Sequence, residues 1–273
     1  MKKTIFITGA SSGFGKETVE LFHQKGWNVV ATMRSPEKET VLNQLENVFV
    51  TKLDVTDTES IASAVSEALE RFGTIDVLVN NAGFGTMGAL EAASDELIRK
   101  QFEVNVFGLI NVTKAVLPTM RNNKSGTIVN LSSVGGRMSF PYLSLYHATK
   151  FAVEGLTESV QYELNPLGIQ LKIIEPGAYK TNFSGSSMGF FGTGDLEDYK
   201  NGFHKFTSGS AERGEEIQNQ NIIEVAKKIY EAVTDDTETL RYQIGTDAIQ
   251  MIQAKQNMDD VSFKKMIMKN MGL

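Results

Sequence analysis

Short β-branched runs alternate with amphipathic stretches along most of the chain. Thr4-Ile5-Phe6-Ile7-Thr8 predicts a buried strand, and Lys16 to Lys25 a helix with Val19, Leu21 and Phe22 set among polar residues. Trp27 to Thr32 and Val48 to Leu53 predict the next two strands, with a short helix around Glu37 to Leu45 between them. Ser60 to Arg71 carries Ile61, Ala64, Val65, Ala68 and Leu69 at the spacing of one helical face, and Ile75 to Val79 predicts a strand. Glu96 to Met120 reads as a long helical stretch of more than one helix. Thr127 to Leu131 is a strand, Ser144 to Leu164 a helix closed by Pro166 and Gly168, and Gln170 to Ile174 a strand. Asn221 to Val233 predicts a helix and Arg241 to Ile244 a last strand. This alternation predicts a parallel sheet with helices on both faces. With right-handed crossovers it becomes an α/β doubly wound, Rossmann-like sheet. Nothing marks a boundary, so residues 1–273 are read as one domain.

Two segments break the pattern. Residues 184–215 are rich in Gly, Ser and Phe without a period, and predict a substrate loop. Phe183, Met188, Phe190, Phe191, Tyr199, Phe203 and Phe206 crowd that region and suit an apolar ligand of variable shape. The tail from Asp247 to Leu273 contains five methionines and a loose helical pattern.

Composition narrows the chemistry. The chain has 273 residues and no cysteine, which excludes disulfides, thiolate zinc sites and cysteine nucleophiles. Its histidines, His23, His147 and His204, are scattered, so no metal site is expected. Twenty-seven basic residues against 33 acidic ones leave a net charge of -6, which offers no footprint for nucleic acid or anionic lipid. No apolar run reaches the roughly 20 residues of a membrane helix. A cytoplasmic protein is the expectation.

Thr8-Gly9-Ala10-Ser11-Ser12-Gly13-Phe14-Gly15 falls between the first strand and the first helix, where an open α/β sheet binds a nucleotide. Gly9 permits the sharp turn, Gly13 lets backbone approach a pyrophosphate, and Gly15 allows close helix–strand packing. The helix N-terminus supplies free N–H groups and partial positive charge for phosphates. The spacing G-x-x-x-G-x-G differs from the general dinucleotide fingerprint and lacks the Lys-Ser/Thr of a P-loop. At the end of the second strand, Ala31-Thr32-Met33-Arg34-Ser35 holds no acid to bond a ribose 2′-hydroxyl. Arg34 suits a 2′-phosphate instead, so NADP(H) is expected over NAD(H), with Ser11 and Ser12 as neutral donors nearby. Asp54, ending the third strand, is read as either an adenine contact or a simple turn cap.

Tyr146-His147-Ala148-Thr149-Lys150 puts Tyr146 and Lys150 four apart on one helical face. Lowering a tyrosine from about 10 to about 7 requires roughly 4 kcal/mol. A unit charge about 4 Å away at an effective dielectric near 20 supplies roughly that. The lysine is therefore expected to make the tyrosine an acid/base near neutral pH. His147 reads as packing beside it.

The glycine turn, Asn80-Asn81-Ala82-Gly83, Asn105, Ser132-Ser133, Tyr146-x-x-x-Lys150 and Pro176-Gly177 follow the order of the short-chain dehydrogenase/reductase family. The chain resembles that family over roughly its first 180 residues, and most of all its branch reducing steroids, retinoids and other carbonyl compounds. The resemblance implies a catalytic tetrad of Asn105, Ser133, Tyr146 and Lys150. Ser133 is preferred to Ser132 because the family places its serine thirteen residues before the tyrosine. In the implied mechanism Tyr146 exchanges a proton with the substrate oxygen and Ser133 hydrogen-bonds that oxygen. Lys150 lowers the tyrosine pKa and bonds the nicotinamide ribose, while Asn105 holds a water linking Lys150 to solvent. The implied cofactor contacts are Gly9, Ser11, Ser12, Gly13, Phe14, Gly15, Arg34, Asp54, Val55, Asn81, Ala82, Gly83, Tyr146, Lys150, Pro176, Gly177 and Thr181. The resemblance also implies a homodimer or homotetramer acting on a small apolar carbonyl or alcohol. Two rival readings are a non-catalytic NADP(H) sensor or scaffold, and an epimerase or dehydratase. An intact Tyr/Lys pair argues against the first, the glycine spacing and single-domain length against the second.

Overall fold

The computed structural model describes residues 2–180, 188–217 and 221–273. Seven parallel strands form one sheet: β1 (Thr4–Ile7), β2 (Asn28–Met33), β3 (Val48–Lys52), β4 (Val77–Asn80), β6 (Gly126–Leu131), β7 (Ile169–Pro176) and β9 (Arg241–Ile244). Their order is β3-β2-β1-β4-β6-β7-β9. The chain reverses direction of growth between β1 and β4, and the crevice at such a switch point is where open sheets bind ligands.

Strand alternation divides the core in two. Ile5 and Ile7 of β1 face α1 (Gly13–Gln24) and α7 (Ile223–Thr234), packing with Phe22, Val225 and Ile229. Phe6, between them, faces α2 (Thr58–Phe72) and α4 (Leu109–Asn123), packing with Ile61, Ala64, Val112 and Val116. The helix ends follow local chemistry. Asp57 caps α2 by accepting from the Glu59 and Ser60 N–H groups, and Gly73, at φ 77°, ends it in the left-handed region.

The helix expected around Glu37 to Leu45 is instead two short 3₁₀ turns, Pro36–Lys38 and Leu42–Gln44. Between them Glu39 accepts from the Val41 and Leu42 N–H groups at 2.8 and 3.0 Å, an alternative to helical bonding. The long stretch from Glu96 is α3 (Asp95–Phe102) and α4 joined through a π turn, Glu103–Gly108, which contains Asn105. The catalytic-helix candidate, α5, runs Ser144–Leu164.

Residues 184–215 depart most from expectation. They are not one loop: residues 188–192 form β8 (Met188–Gly192), paired parallel with β5 (Gly85–Gly88), and α6 spans Glu197–Ile217. Phe203 and Phe206 of α6 lie 5.2 and 5.6 Å from the Tyr142 ring, and Phe206 is buried. Helix α6 carries Gly202 and little apolar periodicity, so these tertiary contacts sustain it. Phe183 and Thr181 lie outside the described residues. The tail is two helices, α8 (Thr246–Asn257) and α9 (Asp260–Asn270). Among the described residues no helix is long and apolar enough to cross a membrane.

Candidate active site

The carboxyl ends of β1, β4, β6 and β7 open into a cleft of about 350 Å³. Its walls bring together the glycine turn (Gly9, Ser12, Gly13, Phe14), Asn81-Ala82-Gly83, Ser132-Ser133, Tyr146, Lys150 and Pro176-Gly177. Segments scattered over 170 residues of sequence thus meet at the switch point.

The two turns beside β1 and β4 hold each other. Asn81 Nδ2 donates to the Thr8 and Gly9 carbonyls at 2.8 and 3.0 Å, and the Asn81 and Ala82 N–H groups both donate to Thr8 Oγ1 at 3.0 Å. Gly9 has φ +68°, which L side chains rarely adopt, and a Cβ there would lie 3.0 Å from Ala82 Cα. Gly15 is buried beneath the turn, where a Cβ would meet the Gly9 carbonyl oxygen and lie 2.6 Å from Asn81 Nδ2. At the start of α1 the Ser12 side chain makes no capping bond, so the first N–H groups face the cleft uncapped. Glycine backbone and free helix donors on one wall are a fit for a dinucleotide pyrophosphate.

Not every expected contact reaches that cleft. Ser11 is exposed on the turn. Arg34 is exposed immediately after β2 and has no ion-pair partner among the described residues, while Met33 beside it is buried. Asp54 accepts from the Thr56 N–H and hydroxyl at 2.9 and 2.8 Å, the turn-cap arrangement. Val55 is buried against Gly108 of the π turn.

The Asn105 side chain is committed to backbone and helix. Its Oδ1 accepts from the Phe84 N–H at 3.0 Å, and its Nδ2 donates to the Phe84 carbonyl at 2.9 Å and to Thr149 Oγ1 at 3.0 Å. Thr149 Oγ1 donates in turn to the Tyr146 carbonyl at 2.8 Å. Asn105 therefore ties the π turn to the helix carrying Tyr146 and Lys150, and does not itself line the cleft.

Ser133 stands at the end of β6, where its Oγ accepts from the Gly135 N–H at 3.0 Å and caps a 3₁₀ turn. Burial pushes the Tyr146 phenol up to about 12, and a hydrogen bond with the Ser133 side chain offsets part of that rise. Burial pushes the Lys150 ammonium down to about 8, opposed by the Glu154 carboxylate one helical turn on. The Lys150 Nζ donates to the Leu131 carbonyl at 2.6 Å and lies 5.8 Å from the centre of the Tyr146 ring. The ammonium is aimed at the Leu131 carbonyl rather than the phenol, and burial sets the phenol above the value near 7 expected from the spacing.

His147, which sequence reasoning set aside as packing, has a definite part. Its Nδ1 donates to the Gly135 carbonyl at 2.8 Å and its Nε2 accepts from the Phe140 N–H at 2.9 Å. Burial lowers its pKa, with the Gly135 bond acting the other way, so the ring is a neutral staple across the serine turn. The cleft also takes Phe140, Leu143, Ala178, Tyr179 and Met188 as apolar lining that no motif announced. Of these only Met188 fell within a segment singled out by composition.

A parallel doubly wound sheet, a glycine turn at its switch point and a Ser/Tyr/Lys group across the cleft define a dinucleotide-binding oxidoreductase. The short chain dehydrogenase family matches residues 3–188, and the chain belongs to that family. It is 42% identical over 199 residues to a 3-ketodihydrosphingosine reductase of Bacteroides thetaiotaomicron, covering 73% of this chain and 72% of the relative. A short-chain dehydrogenase from Streptomyces avermitilis superposes with TM-score 0.84 at 34% identity, covering 98% and 97% of the two chains. ElxO with NADP bound superposes with TM-score 0.75 at 30% identity, covering 92% of this chain and all of that one.

Proposed function

We propose that this protein is an NADP(H)-preferring reductase of apolar carbonyl compounds, running the reverse alcohol oxidation by the same groups. The observation that carries the reading is the convergence of Ser133, Tyr146 and Lys150 on the cleft that also holds the glycine turn. The bound nicotinamide would supply or accept the hydride. The chain's own residues do the rest. Tyr146, held protonated by burial, gives its proton to the carbonyl oxygen as negative charge develops there. Ser133 hydrogen-bonds that same oxygen and orients it. Lys150, held on the Leu131 carbonyl, keeps a positive charge on the cleft wall beside Tyr146 and would bond the nicotinamide ribose, and Asn105 anchors the helix that carries both.

Arg34 supports the cofactor preference, being exposed at the end of β2 with no competing carboxylate partner among the described residues. Asn81, Ala82, Gly83, Pro176 and Gly177 are read as the contacts lining the nucleotide path, with Thr181 following the Pro176 turn. The apolar lining of Val134, Phe140, Leu143, Tyr179 and Met188 supports an apolar substrate, as does a relative whose name specifies a ketosphingoid substrate. We read the protein as cytoplasmic, and the exposed Phe107, Phe151 and Tyr162 on the π turn and α5 as a self-association face of a homodimer or homotetramer.

The test is kcat/KM with NADPH and NADH on matched apolar and polar ketones, in wild type and Arg34→Ala. A hydrogen bond to a charged group is worth about 1.5–3 kcal/mol, so NADPH should lead by roughly one to two powers of ten. Arg34→Ala should raise the KM for NADPH and leave that for NADH. A wild-type preference for NADH, or for polar ketones, contradicts the reading.

A further inference from the structure

The Pro176-Gly177-Ala178 turn, one wall of the cleft, is held from outside the sheet by the C-terminal tail. Asp247, in the first turn of α8, accepts a hydrogen bond from the Ala178 N–H through Oδ2 at 2.7 Å. Its other oxygen, Oδ1, occupies the place into which any Cβ at residue 177 would project. Glycine and carboxylate are therefore a fitted pair. The Gly177 N–H also donates to the Ile244 carbonyl at 2.9 Å, at the end of the strand leading into α8.

Helix α8 is itself anchored. Ala248 and Ile252 are buried with Phe263 and Ile267 of α9 against Val134 and Met138, which follow Ser133. The tail so touches both the serine turn and the Pro176 turn. Beyond Ala178, Tyr179 lies edge-on to Phe14 of the glycine turn, 5.6 Å between ring centres. Asp247 and both tail helices lie past residue 188, where the family match ends.

We propose that Asp247 is a positioning residue that fixes the Pro176–Ala178 turn for the nicotinamide half of the bound cofactor. The proposal rests on the reading of the cleft as an NADP(H) site. A turn already held in place need not be ordered when the ligand arrives, and preorganisation of that kind appears as affinity. The contact acts on one end of the ligand only, because the glycine turn and Arg34 serve the other.

The experiment compares dissociation constants of NADPH and of 2′-phospho-ADP-ribose, which lacks the nicotinamide, by titration calorimetry on the full chain. The Ala178 side of the bond is exposed, so Asp247→Ala should weaken NADPH by about 3–10-fold. It should leave 2′-phospho-ADP-ribose unchanged. Asp247→Asn keeps an acceptor oxygen and should stay within about twofold of wild type. Gly177→Ala should weaken NADPH in the same way, and adding Asp247→Ala to it should cause no further loss. Unchanged NADPH binding in Asp247→Ala, equal loss of both ligands, or additive losses in the double variant would overturn the proposal. Wild-type protein that binds neither nucleotide would overturn the reading of the site instead.

Discussion

Lys150 turns its ammonium to the Leu131 carbonyl at 2.6 Å and leaves Tyr146 with its ring centre 5.8 Å from that Nζ. Lys150 is buried and Tyr146 partly so, and loss of solvent drives them in opposite senses, the phenol to about 12 and the ammonium to about 8. The lysine is thus the group of the pair that titrates within the working range of an enzyme. The kcat/KM for a carbonyl substrate, which reports the free enzyme, should fall above about pH 8 as Lys150 loses its proton. Tyr146 keeps its proton well beyond that point. A flat profile from about pH 7 to 10 would contradict this.

The same burial has a cost in stability. Between about 8 and the usual 10.5 the unfolded chain binds a proton at Lys150 that the folded chain does not, so this group's contribution to stability rises with pH there. Below about 8 its penalty is fully present, on the order of 3 kcal/mol. Lys150→Met, which also gives up the Leu131 bond, should raise the melting temperature at pH 7, and the gain should shrink toward pH 10. Activity should be lost at every pH. Thermal melts at several pH values check this.

His147 should show the opposite assignment from a catalytic base. Its folded pKa is depressed by burial, so the unfolded chain binds the extra proton and stability falls as pH drops from about 6.5 through the lowered value. His147→Ala removes bonds to Gly135 and Phe140 and should loosen the serine turn, costing about 1–3 kcal/mol. The acid side of the wild-type stability curve should flatten in the variant, as urea titrations at pH 5 to 7 would show.

Behind the cleft, Arg241 of β9 pairs with Glu154 at 3.0 Å, Glu158 at 2.6 Å and Glu175 at 3.4 Å. Glu154 and Glu175 are buried; Glu175 also pairs with Arg137 at 2.8 Å, and Glu154 faces the Lys150 ammonium and the Ser132 hydroxyl. Arg241→Ala removes the one guanidinium shared by Glu154, Glu158 and Glu175 and should cost about 3 kcal/mol. Denaturant unfolding measures it. A loss below about 0.5 kcal/mol would mean the cluster is neutralised by protonation rather than by the arginine.

Legibility in the sequence followed chemistry that is local. Thr8 to Gly15 and Tyr146 to Lys150 could be read because a turn, a helix start and an i,i+4 pair are defined within a few residues. The strands could be read because buried parallel strands are continuous apolar runs. Strand β5 could not, since Gly85-Thr86-Met87-Gly88 has little strand propensity and forms only by pairing with β8. Helix α6 draws on Phe203 and Phe206 meeting Tyr142, which no window of sequence contains. Asp247 and Ala178 stand 69 residues apart, so their bond was invisible before folding. The direction of Lys150 was misjudged for a related reason. Spacing placed it beside Tyr146, but the Leu131 carbonyl that captures it comes from strand β6, away from its own helix.

In the proposed reaction Tyr146 delivers the proton in a cleft that would hold NADP(H). Tyr146→Phe keeps the ring and removes only the transferable proton, so the decisive measurement is turnover of a ketone by that variant at saturating NADPH, paired with its NADPH dissociation constant. The account predicts that turnover falls by at least about 10²–10⁴-fold while NADPH affinity stays near wild type. Turnover like wild type with NADPH still bound would contradict it.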